Sequence, residues 1–235
     1  MSPLPLYIPV IFVLTAFITI YLFYLASQKN KLLLIVTAGW MLLVSVVAAT
    51  GFFLETGTLP PRILVLVLFP MLGIVFCFIT QYGRKFIDSF DSGRLTFLHT
   101  IRIPIEMVLL WLFMYKFMPR LMTFEGRNFD IISGLTAPLI YYLGFVRRKL
   151  SANSLIVWNF LCLAILLFTV SNAILSAPTP FQKFAFDQPT VAVLYFPFVW
   201  LPAVVVPIVI FSHLISIRLL VKQVKRRKIP AAIAF

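Results

Sequence analysis

Acidic side chains are scarce: seven Asp and Glu stand against 20 Lys and Arg in 235 residues, and charged residues total 11%. Soluble domains of this length carry about 25% charged and about 45–50% apolar residues. This chain is 62% hydrophobic, with 25 Phe and a mean hydropathy of +1.04. So little polar surface cannot cover a core in water, which excludes an ordinary soluble domain and makes lipid much of the solvent. Histidine and cysteine are rarer still, two of each. There is no His-x-x-x-His pair of the helical zinc-hydrolase kind. Cys77 and Cys162 lie inside apolar runs, read as small packing residues, and supply neither a disulfide framework nor a redox compartment. A Gly-rich phosphate loop and a Gly-x-Ser-x-Gly elbow are both missing. The last apolar run has no central lysine for a retinal Schiff base. No residue is assigned as catalytic, no cofactor is predicted, and the reading leans away from an enzyme.

Long apolar runs are what the chain does have. A helical crossing needs about 20 mostly apolar residues, and runs of that kind fall near 7–26, 32–54, 63–80, 95–118, 130–146, 155–175 and 191–220. The expected fold is an all-α integral membrane protein, a bundle of seven transmembrane helices forming one domain over 1–228 with a short tail at 229–235. Backbone groups in lipid must be satisfied within the segment, which selects helices, and the alternation of a membrane barrel is absent. The first run lacks a basic leader and a small-residue cleavage site, so it is read as a span. The last segment is too long for one perpendicular helix and holds Pro197, Pro202 and Pro207, so a re-entrant or interfacial piece before the true crossing is an alternative. Tyr195, Phe196, Phe198 and Trp200 read as an outer aromatic belt. The loop over 176–190, with Phe181, Phe184 and Phe186, reads as an ordered outer cap.

The net charge of +13 follows the ends of the spans and gives no reason to expect nucleic acid. Lys29, Lys31, Arg84, Lys85, Arg94, Arg147, Arg148, Lys149 and six residues from Arg218 to Lys228 fall on one side. Only Arg62, Lys116, Arg120, Arg127 and Lys183 fall on the other. Positive segments stay in the cytoplasm, which puts the N-terminus outside and the C-terminus inside. The basic tail suits anionic lipid. The bilayer is therefore the first partner, with homo- or hetero-oligomerisation left open.

The polar residues inside the runs are the candidate site. His99, Arg102 and Glu106 share one face of the fourth run at offsets of three, four and seven. At about 1.5 Å per residue from Arg94, Glu106 lies about 18 Å deep. Pro104 frees the carbonyl of Thr100 nearby. A charge at a span centre costs about 2.5–3.5 kcal/mol, against about −0.3 to −0.6 for a large apolar residue, so this face must turn inward and be paired or hydrated. The structural reading is an Arg102–Glu106 ion pair with His99 beside it. The functional reading is a site for a proton or small ligand. Beyond the outer end, Glu125, Arg127 and Asp130 could form a mouth, although Asn128 or Asp130 reads first as the cap of the fifth helix. Ser133, Gly134, Thr136 and Pro138 then suit close packing or a polar lining. His213 and Asn159, beside Trp158, sit at a depth like that of His99, and a haem or metal held by His99 and His213 is the remote alternative.

The stretches Arg-Asn-Phe-Asp-Ile at 127–131, Gly-Leu-Thr-Ala-Pro at 134–138 and Tyr-Phe-Pro-Phe-Val-Trp-Leu-Pro at 195–202 carry a resemblance. With the segments around them, from His99 to Pro138 and from Ser176 to His213, they cover roughly the C-terminal three-fifths of the chain. In them the chain resembles a family of uncharacterised multi-pass membrane proteins of Bacteroidetes-type bacteria. The resemblance implies a bacterial cytoplasmic (inner) membrane location and no activity. Three functional readings follow: a polar intramembrane site that binds or moves a small solute or proton, a structural or accessory subunit of a larger membrane complex, and an intramembrane haem or metal protein.

Overall fold

The computed structural model describes residues 4–232, with side chains to Arg226. It is all-helical, with no strand among the described residues. The helices are α1 (Tyr7–Ala26), α2 (Lys31–Ala49), α3 (Leu64–Ile79), α4 (Gln81–Asp88), α5 (Ser92–Leu98), α6 (Arg102–Met114), α7 (Asp130–Tyr141), α8 (Ala152–Ser176) and α9 (Val206–Ala232). Five segments are long and apolar enough to cross a membrane: α1, α2, Ser92–Met114, α8 and Leu201–Arg226. A sixth counts if α3 and α4, bent by 92°, form one broken span, and Asp130–Val146 is a shorter apolar helix. These lengths and compositions are those of a multi-pass membrane protein.

Three predicted bounds move, one of them the end of the fourth run, where the helix stops at Met114 rather than Met118. The second helix stops at Ala49 and gives way to a short turn at Phe52–Leu54. The last span starts at Leu201 rather than Val191, because residues 191–200 turn back on the bundle: the backbone N–H groups of Val191 and Ala192 both donate to the carbonyl of Phe117. The predicted aromatic belt divides accordingly. Tyr195 and Phe196 are exposed, whereas Phe198 and Trp200 are buried, and Trp200 Nε1 donates to Ser45 Oγ at 2.9 Å. The predicted tail at 229–235 begins as a continuation of α9; residues 233–235, and side chains from Arg227 onward, lie outside the described residues.

Helix starts follow their capping residues. Asn30, Thr80, Asp91 and Ser151 accept from the backbone N–H groups of Leu33, Gly83, Arg94 and Ser154, satisfying donors that the first turn leaves free. All four caps lie at the end of the bundle where the basic segments cluster. At the same end α3 folds back into α4 at Thr80, which requires Gly83: a Cβ there would lie 2.3 Å from Cys77 Cα.

α9 is the central helix. Of its most apolar window 67% is buried, against 11% for α2, and its main neighbour is α8. Its basic end is tied to α4, where Arg218 Nε donates to Asp88 Oδ1 at 3.0 Å and Lys222 bonds Asp88 Oδ2. Partial burial pushes the Asp88 carboxyl up, but the hydrogen bonds and charges of Arg218 and Lys222 outweigh it and hold the group below the ordinary carboxylate range. A depressed carboxylate stabilises the fold above its unfolded pKa and loses that contribution as pH falls through the folded value. Asp88→Asn should therefore lower the melting temperature slightly at neutral pH, with the difference vanishing in acid. For so exposed a pair the effect is about 1 kcal/mol or less.

Candidate functional site

The buried charged residues of the core form one connected cluster with the two histidines and two asparagines, across α6, α7, α8 and α9. It begins where the span Ser92–Met114 tightens into a 3₁₀ turn at His99–Ile101. Pro104 has no N–H to offer the carbonyl of Thr100, so the regular ladder is interrupted at this point. The tightened turn presents His99 and Arg102 to the bundle interior, where they are 0% and 3% exposed.

Arg102 is the hub. Its Nη1 donates to Asp130 Oδ1 at 2.7 Å, and its Nη2 lies 3.1 Å from His213 Nε2. A guanidinium only donates, so His213 Nε2 accepts, and the ring proton sits on Nδ1. That Nδ1 lies 2.9 Å from Asn159 Oδ1, and Asn159 Nδ2 donates on to the carbonyl of Leu155. One cation on α6 thereby joins α7, α9 and, through the histidine, α8. The ring of His99 stacks on that of His213 with centroids 3.8 Å apart and planes 10° from parallel. Trp158 borders both rings and donates from Nε1 to Thr136 Oγ1 at 3.1 Å. Neither ring nitrogen of His99 has a protein partner, nor does Arg102 Nε.

The expected Arg102–Glu106 pair is replaced. Gly134 lets α7 close on α6 so tightly that an added Cβ would lie 3.0 Å from Ile103 Cγ1. This brings Asp130 within reach of the guanidinium and leaves Glu106 to another partner. The expected helix cap at Asp130 changes as well: its carboxylate goes to Arg102, and Asn128 Oδ1 accepts the Asp130 N–H at 3.0 Å. Gly134→Ala should cost about 1–3 kcal/mol through overpacking at this contact. Thermal unfolding in detergent checks it, and an unchanged midpoint would mean that the close approach is not needed.

Glu106 Oε1 accepts from Asn128 Nδ2 at 2.7 Å. Asn128 is fully used, because its Nδ2 also donates to the Met122 carbonyl and its Oδ1 accepts from Thr169 Oγ1 at 3.0 Å. Glu106 Oε2, by contrast, is buried and has no protein partner. Glu106, Asn128 and Asp130 are among the residues around a cavity of about 120 Å³ whose walls are mostly apolar, from Leu64 and Val67 of α3, Leu166 and Val170 of α8, and Val206 of α9. Phe181, Thr179 and Thr190 of the segment after α8 line it as well. That segment is ordered as expected: Ser176 Oγ and Thr190 Oγ1 lie 2.6 Å apart, and Gln188 Nε2 donates to the carbonyls of Phe113 and Met118. Glu106 sits eight residues before the end of α6 at Met114, or about 12 Å. The loop carrying Asn128 therefore dips well below the end of α6, and α7 starts inside the bundle with its N-terminus at the polar cluster.

Of the residues singled out in the sequence, His99, Arg102, Glu106, Asp130, Asn159 and His213 come together. Glu125 and Arg127 are exposed on the loop and form no part of the cluster. The linking role of Asn128 and the presence of Thr169 were not anticipated; the available signal was a set of polar residues, Asn159, Thr169 and Asn172, buried in the mostly apolar run of α8. The two stacked imidazoles do not suit a metal or haem held between them. Ligating lone pairs lie in the ring plane, and both His213 nitrogens are engaged. Among the described residues no three His, Cys, Asp or Glu side chains converge as a ligand set.

Several helices long and apolar enough to cross a membrane, around a buried, hydrogen-bonded charge cluster, have the make-up of a multi-pass helical membrane protein. Residues 59–221 match the model of a domain of unknown function, DUF8737, and the chain belongs to that family. The matched region contains every member of the cluster and leaves out α1 and α2. No curated protein and no solved structure matches the chain.

Proposed function

We propose that the chain crosses the membrane seven times, with its N-terminus outside and its C-terminus in the cytoplasm, and binds or moves a small solute or proton at Glu106. The observation that carries this reading is that Glu106 lines a cavity and keeps a buried Oε2 with no protein partner, while the other two charges of the core, Arg102 and Asp130, are paired with each other. An ionisable group inside a membrane is costly to insert and marks a solute or ion site by default. The seven crossings comprise the five long segments, α3 and the short Asp130–Val146 helix, with α4 turned across the cytoplasmic end of α3. A helix starting inside the bundle beside a cavity and a polar cluster resembles the broken helices of transporter sites, where irregular backbone is tolerated only against protein or water.

Access is one-sided in this reading. The cavity adjoins the outer cap, and Arg102 and Asp130 separate Glu106 from the histidines on the cytoplasmic side. A fitting solute has a mostly apolar body and one hydrogen-bond donor or cationic group for Oε2. The location in a bacterial cytoplasmic membrane of the Bacteroidetes type rests on the sequence resemblance.

Dicyclohexylcarbodiimide, an apolar reagent that adds to protonated carboxyl groups in low-dielectric sites, tests the reading. Peptide mass mapping should find the adduct on Glu106 and not on Asp130, whose carboxylate faces Arg102. Equal labelling of both carboxyls, or no adduct at Glu106, would count against it. The second reading, a subunit of a larger membrane complex, is favoured by α2, of which only Met41 and Val44 are buried.

A further inference from the structure

α2 leans away from α3, and the space between them is an apolar groove of about 740 Å³ with α9 as its floor. Leu33 and Trp40 form one wall, Phe69 and Gly73 the other, and Phe211 part of the floor. Exposed Val36, Phe69 and Phe76 mark its open side. No acidic residue lines it. At the basic end of the bundle the groove finishes between Asn30 and Gly83. Lys29 and Lys31 flank the first of these, and Arg84 and Lys85 follow the second; all four are exposed. None of the four has an ion-pair partner among the described residues. Of the carboxylates at this end, Asp88 on the same short helix is already taken by Arg218 and Lys222, and Asp91 caps α5 by accepting from the Arg94 N–H.

We infer that this groove binds one anionic phospholipid, with an acyl chain along α2 and α3 and the phosphate held between the Lys29–Lys31 turn and Arg84–Lys85. The charge arrangement selects the occupant. Four unpaired cations at one end of an uncharged apolar slot complement a molecule with an anionic head and an apolar tail, and basic clusters at the cytoplasmic surface attract anionic lipid. The inference rests on the membrane reading but not on any role for Glu106. It is also separate from the basic C-terminal tail.

Native mass spectrometry of the full chain in mild detergent, with phosphatidylglycerol or phosphatidylcholine of matched acyl chains, reads the site directly. The wild type should retain one phosphatidylglycerol in preference to phosphatidylcholine. Each cation among Lys29, Lys31, Arg84 and Lys85 changed to Gln should lower that preference about fivefold. Gly73→Leu should abolish retention of both lipids. Its side chain would project into the slot, and a Cβ added at Gly73 meets nothing within 4 Å, so this variant folds while plugging the site. Equal retention of the two lipids by the wild type would overturn the inference, as would unchanged preference in the Gln variants. A second protein chain held in the groove and released by Gly73→Leu would also overturn it. None of these outcomes changes the carbodiimide result at Glu106, so the two proposals fail separately.

Discussion

Arg102→Met is expected to destabilise the protein by about 3–5 kcal/mol, a large fraction of the stability of a typical domain. The loss comes from what is left behind. Asp130, only 5% exposed, would remain as a carboxylate without its cation, and His213 Nε2 would lose its donor. The double variant Arg102→Met, Asp130→Leu removes both charges together and should regain most of the loss, since well-packed apolar replacements of a buried pair are often neutral or stabilising. A residual cost of about 1–3 kcal/mol is expected from the His213 acceptor. Thermal unfolding in detergent, followed by tryptophan fluorescence, measures both. A double variant as unstable as the single one would show that Arg102 holds the helices by packing rather than by its charge.

Glu106→Gln is expected to separate function from folding. The amide oxygen can still accept from Asn128, so the stability should change by less than about 1 kcal/mol, the scale of one net hydrogen bond. The unpartnered end of the side chain becomes a fixed neutral amide, which neither exchanges a proton nor balances a cation. Proton or cation binding at the cavity should therefore be lost completely, with the cluster around Arg102 intact. Glu106→Leu would instead remove the Asn128 contact, and the two variants together distinguish the charge from the hydrogen bond. A Glu106→Gln protein that unfolds as readily as Arg102→Met would identify Glu106 as structural.

Much of this arrangement was legible in the sequence because lipid makes polar residues conspicuous. Arg102 and Glu106 had to face inward, and their helical spacing with His99 placed all three on one side. Asn159 and His213 were placed near His99 by counting residues from the basic ends, and they do meet. What could not be read was pairing across helices. An i, i+4 ion pair is the simplest choice when only one helix is considered, but Gly134 allows α7 to approach closely enough for Asp130 to capture the guanidinium. The reassignment of Glu106 to Asn128 depends on a loop that dips into the bundle, and no local pattern in residues 115–129 announces that depth. The stacking of His99 on His213 is likewise a consequence of how α9 crosses the tightened turn. The late start of the last span at Leu201 was foreshadowed by its prolines, but the backbone bonds to Phe117 that hold residues 191–200 are long-range.

The most direct measurement is an infrared difference spectrum of the detergent-solubilised protein titrated with pH, with Glu106→Gln as its reference. The proposal predicts one protonated-carboxyl carbonyl band in the wild type that gives way to carboxylate as pH rises and is missing from the variant, over and above the bands of the six other Asp and Glu side chains that the two proteins share. Identical pH-dependent spectra for the two proteins would contradict a proton- or solute-exchanging role for Glu106.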